Sequence, residues 1–544
     1  MARKLFFALS AGSLLLTILL AQFNTQAWWL LIIFTPVIAL GIYDILQVRS
    51  TIPRIYPVIG RLRYFFESIR PEIQQYFVES DINGIPVNRE FRSLVYQRAK
   101  RVRDTRPFGT LFDVYRQGYE WTNHSLSPRP MPAEMPRITI GGSQCKQPYS
   151  ASYLNISAMS YGALSKNAIT ALSTGARLGG FYHNTGEGGI SPYHIEGGGD
   201  LVWQIGTGYF ACRSEDGHFD PQLFQQKATS PQIKMIEIKL SQGAKPGHGG
   251  ILPKSKLTEE IAQIRHVPMG QDVISPPAHN AFSDPIGLLK FVQQLRELSD
   301  GKPVGFKLCI GYKGEFLSIC KAMLETGITP DFITIDGGEG GTGAAPVELT
   351  NSVGTPLRDA LSFVHNALIG IGLRDQVKLI ASGKIFSAFH LLRALALGAD
   401  IINSARGMMF ALGCIQSRQC NANTCPTGIA TQDPSRYRQL NIQAKGQRVA
   451  NFHRATIHGL MEMVTSMGLS EPSLVLPCHL HRRIQSSTLK TYAELYDWLD
   501  NGCLLQPDSI PTDWKNDWSI ASADSWDTCC SQYNPDSDSH CQCS

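Results

Sequence analysis

From about residue 150 onward, short apolar runs that end in glycine or small polar residues alternate with segments of helical period. The runs are "YLNISAMSYG", "FYHNTGEGG", "IKMIEIKLSQG", "PVGFKLCIG", "DFITIDGGEGG", "QVKLIASG" and "ADIINSA"; between them lie "SKNAITALSTGARLGG", "DPIGLLKFVQQLRELSD", "GEFLSICKAMLETG" and "SAFHLLRALALG". Strands joined through helices of this size return parallel to one another, so the pattern demands βαβ units and a parallel sheet. About eight such units over roughly 300 residues favour closure into an α/β fold of the (β/α)8 barrel type over an open doubly wound sheet. With 544 residues, 43% hydrophobic and 17% charged, the chain has apolar mass enough for that core. A formal charge of +5 is too mild to argue for nucleic-acid binding.

The N-terminus follows a different logic. From Leu5 to Tyr43 there is no charged residue, and two apolar runs are split by the polar "QFNTQ". Each run is near the roughly 17–25 residues that span a bilayer. A signal peptide is the alternative, but the first run is long and a second follows at once. Arg3 and Lys4 precede the pair and Arg49, Arg54, Arg61 and Arg63 follow it. Positive charge at both ends places both ends in the cytoplasm. The expected organisation is a transmembrane hairpin at 1–46, a linking segment at 47–145, the barrel at 146–470 and a C-terminal extension at 471–544. The linking segment reads as partly helical ("RPEIQQYFVES", "REFRSLVYQRAKRVR"). The extension ends in a Ser/Asp-rich tail with Cys529, Cys530, Cys541 and Cys543, read as mobile with incidental thiols, or else as metal-binding.

In a (β/α)8 barrel the chemistry sits at the C-terminal ends of the strands. That is where small and polar groups gather here: "SAMSYGALS" after the first strand, "GKI" (383–385) after the seventh and "SARGM" (404–408) after the eighth. The last two positions are the usual phosphate site of the fold, although glycines there also serve tight turns in any barrel. No GxGxxG follows a strand in dinucleotide-binding context. Lys307 lies inside the strand "VGFKLCI", where it either stabilises an anion at the mouth or snorkels at the rim. Lys239 and Lys245 bracket "LSQGA", and Glu187, Asp336 and Glu339 put carboxylates at other strand ends. Past the eighth strand, "CIQSRQCNANTCPTG" sets Cys414, Cys420 and Cys425 at C-x5-C-x4-C spacing. Three thiolates can hold three corners of an iron–sulfur cluster. Zinc would need a fourth ligand from elsewhere, and unremarkable thiols are the third reading.

Taken in order, "ISAMSYGALS", "HNTGEGG", "QIGTGYF", "EIKLSQGAKPGHGG", "ISPPAHN", "ITIDGGEGGTGAAP", "IASGKI" and the cysteine stretch resemble the FMN-binding synthase domain of glutamate synthases over about residues 110 to 470. The stand-alone members of that family, which often carry an N-terminal membrane anchor, are the nearer likeness. The resemblance implies a [3Fe-4S] cluster on Cys414, Cys420 and Cys425. It implies FMN on Ala158, Met159, Ser160, Gln204, Lys307, Gly338, Gly383 and Arg406 or Gly407, with Lys307 on the N1 side of the flavin. A 2-oxo acid would meet Glu187, Gln242 and Lys245. The implied activity is reductive amination of 2-oxoglutarate with ammonia, through 2-iminoglutarate, to glutamate. Full glutamate synthases begin with a cysteine nucleophile on a glutaminase domain, whereas this chain begins "MARKLFF"; ammonia from another source and a separate electron donor, such as ferredoxin or a reductase, are therefore expected. His248 stands where the large enzymes would have glutamate. That leaves open another oxo acid or imine as substrate, or a membrane-anchored electron-transfer protein.

Overall fold

The computed structural model describes residues 2–102 and 105–528, which fall into two compact units, Met1–Asn88 and Arg89–Ser544. The tail cysteines Cys529, Cys530, Cys541 and Cys543 lie outside the described residues.

In the first unit, helices α1 (Ala2–Ala21) and α2 (Leu30–Leu46) are joined by a single 3-10 turn, Thr25–Trp29. The Asn24 side chain caps that turn by accepting from the Gln26 N–H at 2.9 Å. The spans Ala2–Phe23 and Thr25–Leu46 have mean hydropathies of 2.0 and 2.1 over 22 residues each, long and apolar enough to cross a membrane. Most of their large apolar side chains, including Leu9, Leu15, Ile32 and Ile33, are exposed, so the pair buries little of its own apolar surface. After the one-turn helix Thr51–Ile55 comes a longer one, here α3 (Gly60–Ile73).

In the second unit, eight parallel strands close into a barrel in sequential order: β1 (Leu154–Ile156), β2 (Tyr182–Asn184), β3 (Asp200–Ile205), β4 (Ile233–Lys239), β5 (Val304–Leu308), β6 (Phe332–Asp336), β7 (Lys378–Ser382) and β8 (Ile401–Ser404). The strand that the apolar runs left unlocated is β3. It follows β2 through only the short helix Pro192–Glu196, so no long helical period announces it. After β8, the helix Ile442–Ser466 packs along Lys166–Gly179, where a Cβ on Gly175 would come within 2.6 Å of Val449.

Side chains alternate across each strand, so residues two apart share the barrel interior. Read upward, the interior passes from an apolar floor, through a polar layer built around one carboxylate, to a charged mouth. Tyr182, Val202, Met235, Phe332, Ile380 and Ile401 form the floor, and the antiparallel pair Ile138–Ile140 and Tyr149–Ala151 plugs it from below with Ile140, Tyr149 and Ala151. Asp331 pins the plug. Its carboxylate accepts from the N–H groups of Gly142 (2.8 Å) and Val304 (2.9 Å) and pairs with Arg296 at 3.0 Å.

Two residues higher, Glu237 is 1% exposed and accepts from Asn184 Nδ2 (2.8 Å), Gln204 Nε2 (2.6 Å) and Thr334 Oγ1 (2.7 Å). On the same level the Tyr182 hydroxyl donates to Asn403 at 2.7 Å. Above these come Ser157, Lys239, Lys307, Asp336 and Ser382 at the mouth.

The C-terminal extension supplies strands Leu480–Arg483 and Leu489–Thr491 to a sheet with Glu120–Thr122. Glu120, its side chain 7% exposed, locks this sheet to the barrel helices through Arg358 and Arg393, with Tyr492 Oη donating at 2.8 Å. The floor carries the clearest stability expectation. Phe332→Ala removes a fully buried ring from it and should cost about 3–5 kcal/mol, read as a lower denaturation midpoint. A shift no larger than that of a surface substitution would show that the plug does not seal the barrel.

Candidate active site at the barrel mouth

Each mouth loop is held by its neighbours. The β1 loop carrying Ala158, Met159 and Ser160 is tied down where the Met159 N–H donates to the Asn184 carbonyl at 3.1 Å and the Ser157 N–H to Ser404 at 3.3 Å. Gly186, at φ +65°, lies so close beneath it that a Cβ there would be 3.0 Å from the Ser160 nitrogen. Gln204 spends its amide N–H on Glu237, which leaves its oxygen as an acceptor.

Three cations converge around Glu187, Lys239, Lys245 and Arg265. Lys239 Nζ lies 2.8 Å from its Oε1. Burial raises the Glu187 carboxyl, but Lys239, Lys245 and Arg265 outweigh it and hold the group below the ordinary carboxylate range. Lys245 is 2% exposed. Burial pushes its ammonium down to about 8, with Glu187 pulling upward and Lys239 pushing further down. Arg265 is pushed down to about 10 by burial, against the pull of Glu187, and donates to the Tyr161 carbonyl at 3.1 Å. Lys307 and Lys239 are register partners on adjacent strands, so two ammonium groups stand side by side. An excess of positive charge in a water-poor mouth is a site for an anion.

The loop that carries Gln242 and Lys245 is shaped by backbone contact. A Cβ on Gly243 would sit 1.7 Å from the Gly337 oxygen, a contact that only glycine permits. The Gly243 N–H donates to Asp336 Oδ2 at 3.0 Å, and Gln242 is half-buried on the same turn. Asp336 therefore organises a loop, and Glu339, whose carboxylate accepts from the Leu357 N–H at 2.9 Å, begins the helix Leu357–Gly370. His248 is half-buried further along the Lys245 loop, its Nδ1 3.0 Å from the Gly249 carbonyl. His279, from "ISPPAHN", bonds the Lys239 carbonyl through Nε2 at 2.9 Å and Tyr209 Oη through Nδ1 at 3.0 Å, fixing the strand end that presents Lys239.

Beyond β6, β7 and β8, Gly338 could not carry a side chain, since its Cβ would lie 2.5 Å from the Gly354 oxygen. Gly383 has φ +152°, and a Cβ on Gly407 would be 2.5 Å from Ser404 Oγ. Arg406 donates to the Glu339 carbonyl at 2.9 Å beside Lys384; burial lowers both cations, and each lies in the field of Glu339.

The cysteine loop is fastened to the β1 loop. Gln432 Nε2 donates to the carbonyls of Gly162 (3.0 Å) and Leu164 (2.9 Å), and Ser165 Oγ donates to Gly428 at 2.7 Å. Lys256 Nζ bridges the two loops by donating to Ala163 (2.7 Å) and Cys420 (3.1 Å) carbonyls. The thiols of Cys414, Cys420 and Cys425 all lie within Coulombic reach of one another. Among the described residues no three His, Cys, Asp or Glu side chains converge at metal-binding distance. Burial raises Cys414 to about 12 and raises Cys420. Cys425 is the exception: burial raises it, but the Thr427 hydroxyl and the N–H groups of Ala430, Thr427 and Ile429 bring it below the usual thiol range.

The candidate residues named from the sequence thus gather at one end of the barrel. Sequence reasoning passed over Glu237, Arg265 and Lys256. Glu237 left a readable signal, an acid at an inward position of "MIEIK", whereas Arg265 ends an ordinary amphipathic helix (Glu259–Arg265) and left none.

The family described as a conserved region in glutamate synthase matches residues 123–470. The chain is 38% identical over 472 residues to the glutamate synthase large subunit-like protein YerD of Bacillus subtilis, covering 79% of this chain and 89% of that protein. It is 33% identical over 386 residues to the archaeal-type glutamate synthase [NADPH] of Thermotoga neapolitana, covering 67% and 73%. With the archaeal glutamate synthase [NADPH] of Methanocaldococcus jannaschii it shares 34% identity over 316 residues, 58% of this chain and 59% of that one.

The Lys245–Glu187 coupling has a definite sign. A carboxylate that favours the ammonium form is lost in Glu187→Gln, so the Lys245 pKa should fall further below its value of about 8. Binding of a dicarboxylate such as succinate should weaken as pH rises through about 8 in the parent and through a lower pH in the variant. Calorimetric titrations across this range would read the midpoint, and an unchanged midpoint would contradict the coupling.

Proposed function

For a chain that belongs to the glutamate synthase family, we propose that the barrel mouth reductively aminates a 2-oxo dicarboxylate, 2-oxoglutarate in the first instance. The balanced reaction joins the oxo acid, ammonia, two electrons and two protons to give glutamate and water. The observation that carries the reading is the set of buried cations at the mouth: Lys239, Lys245 and Arg265 around Glu187, with Lys307 beside Lys239.

Lys245 would hold a substrate carboxylate by a charge-assisted hydrogen bond, with Gln242 beside it on the turn that Asp336 fixes. Glu187, kept ionised by its cations, would accept a proton bond from the incoming ammonia or the imine nitrogen. His279 and Tyr209 act on Lys239 by holding its strand end.

The glycine cradle and buried cations after β6, β7 and β8 fit a flavin mononucleotide: Gly338, Gly383, Arg406 and Gly407 would hold its phosphate side, and Ala158, Met159, Ser160, Gln204 and Lys307 its ring. Bound FMN supplies hydride chemistry, and the chain supplies position and charge. Cys414, Cys420 and Cys425 fit a [3Fe-4S] cluster by donor type, and the N–H and O–H groups aimed at Cys425 favour the thiolate that ligation needs. Electrons would come from a separate donor such as ferredoxin or a reductase. The two apolar helices would anchor the enzyme to the cell membrane, with the barrel on the cytoplasmic side. His248, half-buried on the Lys245 loop, favours a second reading in which the same machinery takes a different oxo acid or imine.

Two measurements test this reading. Cys420→Ser should lose iron and acid-labile sulfide while keeping FMN; undiminished iron would remove the cluster assignment. Lys245→Ala should keep its flavin spectrum and bind 2-oxoglutarate roughly 30-fold more weakly, since losing one partner of a desolvated charge pair costs about 2–5 kcal/mol. Lys307→Ala should instead disturb flavin affinity or potential. If neither the parent nor the variants respond to 2-oxoglutarate, the second substrate reading takes over.

A further inference from the structure

We propose that α3 is an interfacial helix. It would lie in the surface of the bilayer at the foot of the hairpin, its apolar stripe in the acyl boundary and its arginines on anionic phospholipid headgroups. The proposal rests on reading α1 and α2 as membrane-spanning and adds a second, charge-selective contact to that anchor.

The stripe follows from spacing. Leu62, Phe65, Phe66, Ile69 and Ile73 stand at i, i+3, i+4, i+7 and i+11, which is one face of a helix. This face is uncovered: Leu62 is 53% exposed, Phe65 55%, Phe66 57% and Ile73 38%. It runs on into Tyr76 and Phe77, the latter 85% exposed, in the wide turn Gln74–Val78. Arg63 and Arg70 border the stripe on one edge and Arg61 on the other, by the same helical spacing. Between residues 47 and 78 there are five arginines, Arg49, Arg54, Arg61, Arg63 and Arg70, against two acids, Glu67 and Glu72. With Arg61 paired to Asp44, Arg49, Arg54, Arg63 and Arg70 remain against those two acids, a surplus that suits an anionic surface. Within α3 itself five charged side chains, Arg61, Arg63, Glu67, Arg70 and Glu72, bar it from crossing the membrane.

The position of the helix relative to the hairpin is fixed by one carboxylate. Asp44, in the last turn of α2, is fully buried. It accepts from Arg61 Nε at 2.8 Å and from the Val58 N–H at 3.0 Å, and pairs with an Arg61 terminal nitrogen at 2.7 Å. Arg61 is the second residue of α3, so the helix starts at the level where α2 ends. That level is the edge of the apolar span Thr25–Leu46. Tight packing reinforces the turn, since a Cβ on Gly60 would lie 2.9 Å from the Pro53 Cα. A helix that starts at the membrane edge with a bare apolar stripe and basic flanks has continuity with the hairpin's own lipid contact, which favours lipid over a protein partner.

The test is hydrogen exchange of the full chain in vesicles of phosphatidylcholine, with and without phosphatidylglycerol. Amides of residues 60–78 should slow roughly tenfold or more when the anionic lipid is present, while residues 2–46 stay slow in both. Phe65→Ser with Phe66→Ser should abolish the slowing at 60–78 and leave residues 2–46 unchanged. Because that variant can loosen α3 by itself, the lipid comparison on the unaltered chain is decisive. Exchange at 60–78 indifferent to lipid charge would overturn the proposal and point to a protein cover for the stripe. Fast exchange at residues 2–46 in both vesicles would overturn the membrane-spanning reading beneath it, a separate failure.

Discussion

A carboxylate in the middle of a barrel costs several kcal/mol to desolvate unless hydrogen-bond donors reach both of its oxygens. Glu237 meets that demand with an asparagine from β2, a glutamine from β3 and a threonine from β6. Those three donors reach it only if their strands sit in one register, because a slip of one residue would turn each of them outward. The same level separates an apolar floor from a cationic mouth, so the interior changes character over a few ångströms without an unpaired charge between. Gln204 shows how directly this reaches the site: it is a candidate site residue whose side-chain amide is anchored on Glu237.

Above that level the loops hold one another more than the strands hold them. Asp336 from β6 receives the N–H of Gly243 from the β4 loop, and Gly243 has no side chain because the Gly337 carbonyl fills that space. The cysteine loop after β8 is fastened to the β1 loop by Gln432, Ser165 and Lys256. A group held by the cysteines and a ring held by Met159 and Ser160 would therefore share a rigid frame. Gly343 of the β6 loop also lies against Cys420, with its Cβ position 3.5 Å from the cysteine Cβ.

The first unit solves a different problem. Its helices α1 and α2, each long and apolar enough to cross a membrane, leave most of their apolar side chains outward, and the buried polar contact at Asp44 falls at the end of α2, where partners from the following turn can reach it.

Much of this was legible beforehand. The alternation of glycine-ended apolar runs with helical segments specifies a parallel sheet buried on both faces, and about eight such units favour its closure into a barrel. The long uncharged stretch marks the hairpin, and Glu187, Lys245, Lys307 and the three cysteines stand out because each is a chemically active residue at a strand end or in a short loop. What tertiary structure alone decided is pairing. Lys239 and Glu187 are separated by more than fifty residues and meet at 2.8 Å. Arg265 joins them from a helix whose sequence is ordinary, and Glu339, which reads as a mouth carboxylate, turns away to start a helix. Strand-end position follows from local pattern. Which charges face each other depends on strand order, register and loop closure, and these are settled only when the barrel closes.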